Sequence, residues 1–271
     1  MNYMNVSDGD SAALRSATTI SGSRAPAVLP AARICLFLDF DGTLVEFAGQ
    51  PHAVLVDPAL VALLRSVQIA LDGALAIISG RRIDELDVLL QPLRLPTAGL
   101  HGMERRDAGG RLLLARPEPD ARLLALRAPL LELVARHPGL LLEDKLVALA
   151  LHYRRAPELA EVAEQAIETL LKPLQPHYEV MRGDRVLEIK PADRDKATAV
   201  EAFMREEPFA GRRPVYVGDD LTDSDGFSAV RRFDGVSVAV GDRVSAQWRL
   251  ADPGAVRGWL AALATASGSR S

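Results

Sequence analysis

Short apolar runs alternate with segments of helical spacing along most of this chain. Ile34 to Leu38, Ala74 to Ile78, Thr97 to Leu100, Pro214 to Val217 and Val236 to Val240 have the length of strands and are apolar at successive positions. Such continuity predicts strands covered on both faces, as in a parallel sheet. Between them, Pro58 to Leu71 puts Leu60, Leu63, Leu64 and Val67 on one helical face, with Asp57 as N-cap and Pro58 at the first position. Ile83 to Leu90, Ser224 to Val230 and Pro253 to Leu263 also read as helices. The alternation predicts an α/β fold, with a parallel sheet and helices on both faces.

The middle of the chain has another order. Leu112 to Ala115 reads as a strand, Asp120 to Arg136 as a Leu-rich helix, and Leu140 to Glu143 and Val147 to Tyr153 as neighbouring strands. Pro157 to Leu171 is a helix with apolar spacing at Leu159, Val162, Ala163, Ala166 and Leu170. Tyr178 to Met181 and Val186 to Ile189 form a hairpin pattern around Gly183-Asp184. This order predicts an inserted α+β domain at 110–188, splitting a core domain into 33–109 and 189–265. Residues 1–32, rich in Ser, Ala and Gly, read as a disordered extension, and 266–271 as a loose tail.

Composition narrows the class. The 271 residues are 48% hydrophobic and 25% charged, ordinary for a globular protein with a large core. A net charge of −4 supplies no basic field for nucleic acid, and the arginines between Arg81 and Arg111 are mixed with acids. The only cysteine, Cys35, lies inside an apolar strand and reads as a core thiol. No apolar run reaches the roughly 18 residues of a membrane span, and the N-terminus lacks the pattern of a secretory signal. We therefore expect a cytoplasmic monomer with no nucleic-acid or membrane partner.

The candidate chemistry sits where predicted core strands end. Asp39 and Asp41, in Asp39-Phe40-Asp41-Gly42-Thr43, are two apart and face one spot. Carboxylates that close repel unless a proton or cation lies between them, and magnesium supplies hard-cation charge for oxygen ligands. Gly42 permits a close backbone approach, and Thr43 adds a hydroxyl. A plain turn would also use Asp and Gly, whereas a calcium loop would need more oxygen ligands than Leu44 to Ala48 provide. Ser79-Gly80-Arg81 follows the second strand, where Ser79 could meet a phosphate or cap the next helix. Lys196 could neutralise charge near such a phosphate or stand on the surface. Gly218-Asp219-Asp220-Leu221-Thr222-Asp223 puts three acids at the end of a buried strand, which is costly without a cation. Asp219 is the candidate metal ligand, with Asp220 and Asp223 orienting Lys196 or water; helix capping by Asp220 or Thr222 is the alternative.

Together these residues resemble the four motifs of haloacid-dehalogenase-type phosphatases, in the family's order, with room for a cap between the second and third. Gly99-Leu100-His101-Gly102, Glu143-Asp144-Lys145, His152-Tyr153-Arg154 and Leu187-Glu188-Ile189-Lys190-Pro191 resemble one branch, the trehalose-6-phosphate phosphatases. Ala197 departs from the Gly usual there, and Ser224 from an acid. The resemblance runs from about Ile34 to Leu263. It implies a Rossmann-like core with a cap, and hydrolysis of trehalose 6-phosphate through an aspartyl-phosphate. In that scheme Asp39 is the nucleophile and Asp41 the acid and base. Mg2+ is bound by Asp39, the main-chain carbonyl of Asp41, and Asp219. Ser79, Lys196 and amides near Gly42 hold the phosphate, beside Phe40, Gly80 and Arg81. Glu143, Lys145, His152, Arg154 and Glu188 line the sugar side, each with a solvent-facing strand as the alternative, and His101 either joins them or is structural. Another capped sugar phosphatase, a phosphomutase or a catalytically silent binding module are the competing readings.

Overall fold

A computed structural model describes residue 26 and residues 31–46, 54–114, 120–145, 147–183 and 185–268. Two sheets organise it. The larger has eight strands in the order β12-β11-β10-β1-β2-β3-β4-β5. Its strands are β1 (Ile34–Leu38), β2 (Leu75–Ile78), β3 (Thr97–Gly99), β4 (Glu104–Arg106), β5 (Leu112–Leu114), β10 (Arg213–Gly218), β11 (Val236–Val240) and β12 (Trp248–Leu250). Pairing is parallel from β12 through β3 and antiparallel for β4 and β5. Every residue of β1, β2 and β11 is buried, as helices on both faces demand.

Those helices are α1 (Pro58–Ala70), α2 (Ile83–Leu89), α6 (Lys196–Phe203), α7 (Asp223–Arg232) and α8 (Pro253–Gly268). α1 packs against α8, and α6 against α7. Asp57 caps α1 by accepting the amide of Leu60 at 2.8 Å. α8 runs to Gly268, beyond the apolar periodicity that ends at Leu263, so the tail expected to be loose from 266 begins as helix. The expected extension, 1–32, lies outside the described residues except for Pro26, Ala31 and Ala32. The Pro26 carbonyl accepts from Trp259 Nε1 at 3.1 Å, and Ala31–Arg33 form a short 3-10 turn.

The smaller sheet is antiparallel, ordered β6-β7-β9-β8, from β6 (Leu141–Asp144), β7 (Leu149–His152), β8 (Tyr178–Gly183) and β9 (Val186–Pro191). Asp184, in the expected hairpin turn, is outside the described residues. Leu149, Leu151, Leu187 and Ile189 on one face pack with Leu130 and Leu133 of α4 (Arg127–Arg136) and with Ala163 and Ile167 of α5 (Ala160–Leu171). The alternate residues Glu143, Ala150, His152, Val186 and Glu188 therefore share the opposite face. Register puts Ala150 between Glu143 and Glu188, a small side chain flanked by two acids.

Two sequence expectations change, and two further strands appear. Leu112–Leu114 pairs with β4 in the large sheet, so it is no strand of the insert. The pattern over Asp120 to Arg136 resolves into α3 (Ala121–Leu124) and α4, because the chain turns at Ala125-Leu126. Glu104–Arg106 and Trp248–Leu250 are strands too short and polar for the apolar pattern to reveal.

Candidate active site

Parallel register brings the carboxyl ends of β1, β2, β3 and β10 to one edge. Leu38 lies beside both Val217 and Ile77, and Ile78 beside Ala98. Asp39 follows Leu38, its amide bonded to the Val217 carbonyl at 2.9 Å. Ser79 follows Ile78, its amide on Ala98 O at 2.9 Å. Asp219 and Asp220 follow β10, and Lys196 starts α6, whose N-cap Asp195 forms a capping box with Thr198. The ligand edge of an open α/β sheet is thus lined with acids, a hydroxyl and an ammonium group.

Lys196 is buried, with Nζ 2.8 Å from Asp39 Oδ1 and 2.6 Å from Asp223 Oδ1. This excludes the surface-lysine alternative. Burial works against its charge, but Asp223 and Asp39 outweigh it and raise its pKa. The carboxyls show the reverse balance. Burial, then Asp223 and Asp219, hold Asp39 well above the usual carboxylate range, against the pull of Lys196. Burial, Asp223 and Asp220 push Asp219 up to about 7. One ammonium does not offset this much negative charge, which is the condition a bound cation relieves.

Carboxylate oxygens of Asp39, Asp219 and Asp223 lie within 4.8 Å of one another, a group that could hold a metal ion. Asp223 is already engaged. Its Oδ1 accepts from Lys196 and from the Tyr216 hydroxyl at 2.9 Å, and its Oδ2 accepts the amides of Asp219 and Asp220, each at 3.0 Å. Asp39 and Asp219 are therefore the better ligands of the three, and Asp223 braces the lysine and the loop. Two glycines clear space for that brace: a Cβ on Gly218 would lie 2.3 Å from Asp223 Cγ, and one on Gly226 2.4 Å from the Tyr216 ring. Thr43 Oγ1 reaches Asp219 Oδ1 at 3.3 Å. Asp220 accepts the amide of Leu221, whereas Thr222 makes no side-chain cap to α7.

Asp41 faces a different partner. Arg81 donates from Nε to Oδ2 at 2.6 Å and from Nη2 to Oδ1 at 2.7 Å. Ser79 Oγ accepts the Arg81 amide at 3.1 Å and does not cap α2, whose N-cap is Arg82. Gly42 has φ +81°, and its amide donates to Val45 O at 2.8 Å, so that amide closes the turn. Phe40 is buried in the core beneath the Arg81 guanidinium, 5.8 Å from the ring centroid.

A cavity of about 320 Å³ joins this edge to the open face of the small sheet. Asp39, Asp41, Ser79, Gly80, Arg81, His101 and Lys196 line one side, and Glu143, Lys145, His152 and Arg154 the other. Lys145 and Arg154 lie just beyond the ends of β6 and β7, which corrects their expected place within strands. Glu188 stands behind the wall: it accepts from Lys145 Nζ at 2.7 Å and lies 3.9 Å from His101 Nε2. His152 Nε2 meets Glu143 Oε2 at 2.8 Å. His101 is buried with a left-handed backbone (φ 54°), beside an equally left-handed Leu100, and burial followed by Lys196 keeps its imidazole well below the usual range. Its ring takes the place of a side chain at Gly80, where a Cβ would meet Nε2 at 2.7 Å.

The sequence family-matches over residues 37–253 as Trehalose-phosphatase. The chain belongs to the trehalose-phosphatase family. It is 43% identical over 239 residues to a protein of Escherichia coli (strain K12) named trehalose-6-phosphate phosphatase, covering 87% of this chain and 88% of that one. It is 44% identical over 232 residues to a probable trehalose-phosphate phosphatase of Sinorhizobium fredii, covering 84% and 87%. Among solved structures, the C-terminal domain of the trehalose-6-phosphate phosphatase of C. albicans superposes with a TM-score of 0.76 at 24% identity, covering 87% of this chain and 93% of that one. A phosphatase of the haloalkanoate (HAD) enzyme superfamily from Bacteroides thetaiotaomicron has TM-score 0.56 at 16% identity, covering 92% and 99%. These two likenesses show the fold alone, an α/β core.

Sequence reasoning missed several groups in this candidate site. Tyr216 could have been found as the one polar ring in an apolar strand leading into the acidic loop. Arg155 and Glu85, both lining the cavity, carried no motif. Arg243, 3.8 Å from Asp219 Oδ2, comes from a loop after β11 that no pattern tied to the site.

Proposed function

We propose that this protein is a Mg2+-dependent phosphatase that hydrolyses trehalose 6-phosphate to trehalose and inorganic phosphate. The observation that carries the reading is Asp39: a buried carboxylate paired with Lys196, at the floor of a cavity whose opposite wall is a polar sheet face. The names of the Escherichia coli and Sinorhizobium fredii relatives support the substrate.

Asp39 attacks phosphorus, the bond from phosphorus to the sugar oxygen breaks, and an aspartyl-phosphate forms. Asp41 gives a proton to the departing oxygen. It then takes one from the water that attacks the phosphoenzyme, releasing phosphate and restoring Asp39. Ser79 and Lys196 hold phosphate oxygens, Lys196 being kept in place by Asp223. Asp39 and Asp219, with the main-chain carbonyl of Asp41, would hold Mg2+. Mg2+ there would supply positive charge against repulsion between nucleophile and phosphate. The small sheet with α3 to α5 acts as the cap. Glu143, Lys145, His152 and Arg154 meet sugar hydroxyls, and Glu188 fixes Lys145. One chain carries every group required, so the reading includes a monomer, and a buried free Cys35 suits the reducing cytoplasm. Among the described residues, no helix is long and apolar enough to cross a membrane.

The test is phosphate release from a panel of sugar phosphates, with Mg2+ and with chelator. Trehalose 6-phosphate should turn over best, chelator should stop release, and Asp39→Asn should abolish it. Preference for another sugar phosphate refutes the substrate, and release by Asp39→Asn refutes the nucleophile.

A further inference from the structure

Two ion pairs lie side by side at the cavity floor, and they differ in kind. Lys196 and Asp223 are enclosed, and Asp223 is held by four donors, so this pair is fixed. Arg81 and Asp41 line the cavity itself, and the Asp41 side chain keeps 26% of its exposure. Both Asp41 oxygens are taken up by the Arg81 fork. Yet Asp41 is the group that must reach the leaving oxygen in the proposed reaction.

The main chain of Arg81 is anchored while its guanidinium is at the surface of the cavity. Its amide donates to Ser79 Oγ at 3.1 Å, and its carbonyl accepts from Leu100 at 3.0 Å. The His101 ring fills the side-chain position of Gly80, which fixes the loop from the other side. A phosphate monoester entering beside Ser79 and Lys196 offers the same planar fork more charge and more oxygens than a carboxylate does. The Phe40 ring lies beneath the guanidinium, with 5.8 Å between Cζ and the ring centroid.

We propose that Arg81 is a positioning residue operated by the phosphate: it clamps Asp41 in the substrate-free protein and leaves it for the phosphate, freeing Asp41 to face the leaving oxygen. The inference deepens the phosphatase reading and rests on it. Productive placement of Asp41 is thereby tied to occupancy of the phosphate site, so water entering the empty cavity meets a clamped Asp41.

The test measures inorganic phosphate binding by calorimetry, in Mg2+, to the full chain, Asp41→Asn, Arg81→Ala and the double variant. If phosphate draws Arg81 away, Asp41→Asn removes a competitor as well as a repelling charge. It then tightens phosphate by roughly tenfold more when Arg81 is present than in the Arg81→Ala background. If Arg81 takes no part in phosphate binding even when released, it only neutralises the carboxylate, and Asp41→Asn tightens phosphate less when Arg81 is present. That inverted sign, equal effects in the two backgrounds, or wild-type protein that binds no phosphate each overturn the proposal.

A second readout needs no double variant. The Arg81 Nε resonance, assigned by its loss in Arg81→Lys, should shift on Asp41→Asn without phosphate and be insensitive to Asp41→Asn with phosphate bound. A resonance that senses Asp41 in both states, or in neither, also overturns the clamp. Neither measurement uses the sugar, so failure of the trehalose assignment shows in the turnover panel and leaves this test intact.

Discussion

Lys196 and Asp223 hold each other at 2.6 Å in full burial, and the same Asp223 carboxylate ties down the Asp219-Asp220 loop through two amides. One side chain thus sets both the ammonium that faces Asp39 and the backbone that carries the metal-ligand candidate. Asp223→Asn should lower kcat by roughly 10²-fold through misplacement of these groups. It should also cost about 3 kcal/mol of stability, because a buried charge loses a partner. Steady-state kinetics and denaturant unfolding check both numbers, and a variant with wild-type kcat would refute the bracing role.

Gly226 is a second handle on the same brace, from a position outside the cavity lining. An added methyl meets the Tyr216 ring at 2.4 Å and pushes its hydroxyl from Asp223. Gly226→Ala should destabilise the fold by roughly 1–3 kcal/mol through overpacking. It should lower kcat as well, whereas Gly258→Ala on α8, whose Cβ meets nothing within 4 Å, should leave kcat unchanged and stabilise the helix by up to about 1 kcal/mol.

On the proposed Mg2+ reading, Asp219 makes metal binding a function of pH. Burial, Asp223 and Asp220 raise its carboxyl from 3.8 to about 7 in the metal-free fold. The folded state therefore holds a proton that the unfolded chain has released. That contribution to stability is full below pH 3.8 and is lost as the pH rises through about 7. A divalent cation takes the place of the proton, so Mg2+ binding should release protons and strengthen with pH. Thermal melts with and without Mg2+ should show a Tm gain that grows from about pH 5 to about pH 8. A gain that shrinks over that range would contradict the assignment.

On the proposed reading, Lys145 serves sugar recognition apart from the phosphate chemistry. It lines the far wall, fixed by Glu188 at 2.7 Å, away from the ends of the core strands. Lys145→Ala should raise KM for trehalose 6-phosphate by about tenfold or more, while hydrolysis of a small aryl phosphate stays within roughly threefold. Equal losses on both substrates would place Lys145 in the chemical step instead.

The alternation of buried runs and helical spacing was enough to read the parallel sheet, because a strand covered on both faces cannot hide its apolar continuity. Acids at strand ends were legible for the same reason: Asp39 and Asp219 interrupt apolar runs at positions with nowhere dry to go. What escaped was set by tertiary approach. Glu104–Arg106 is a strand because β3 and β5 flank it, and its own residues carry no strand pattern. The Arg81–Asp41 clamp joins residues forty apart, and no local spacing announces it. The left-handed Leu100 and His101 break the rule that such angles go to glycine, so no sequence pattern announces the strain in the Gly99 to Gly102 stretch beside the cavity.

β9 runs from the small sheet toward the start of α6. It carries Glu188 against Lys145, and at its end Lys190 is pinned to Glu179 and to the Arg194 carbonyl, each at 2.6 Å, just before the chain turns into Lys196. On the proposed reading, a pull on Glu188 by bound sugar would travel along this stapled segment to Lys196 beside Asp39.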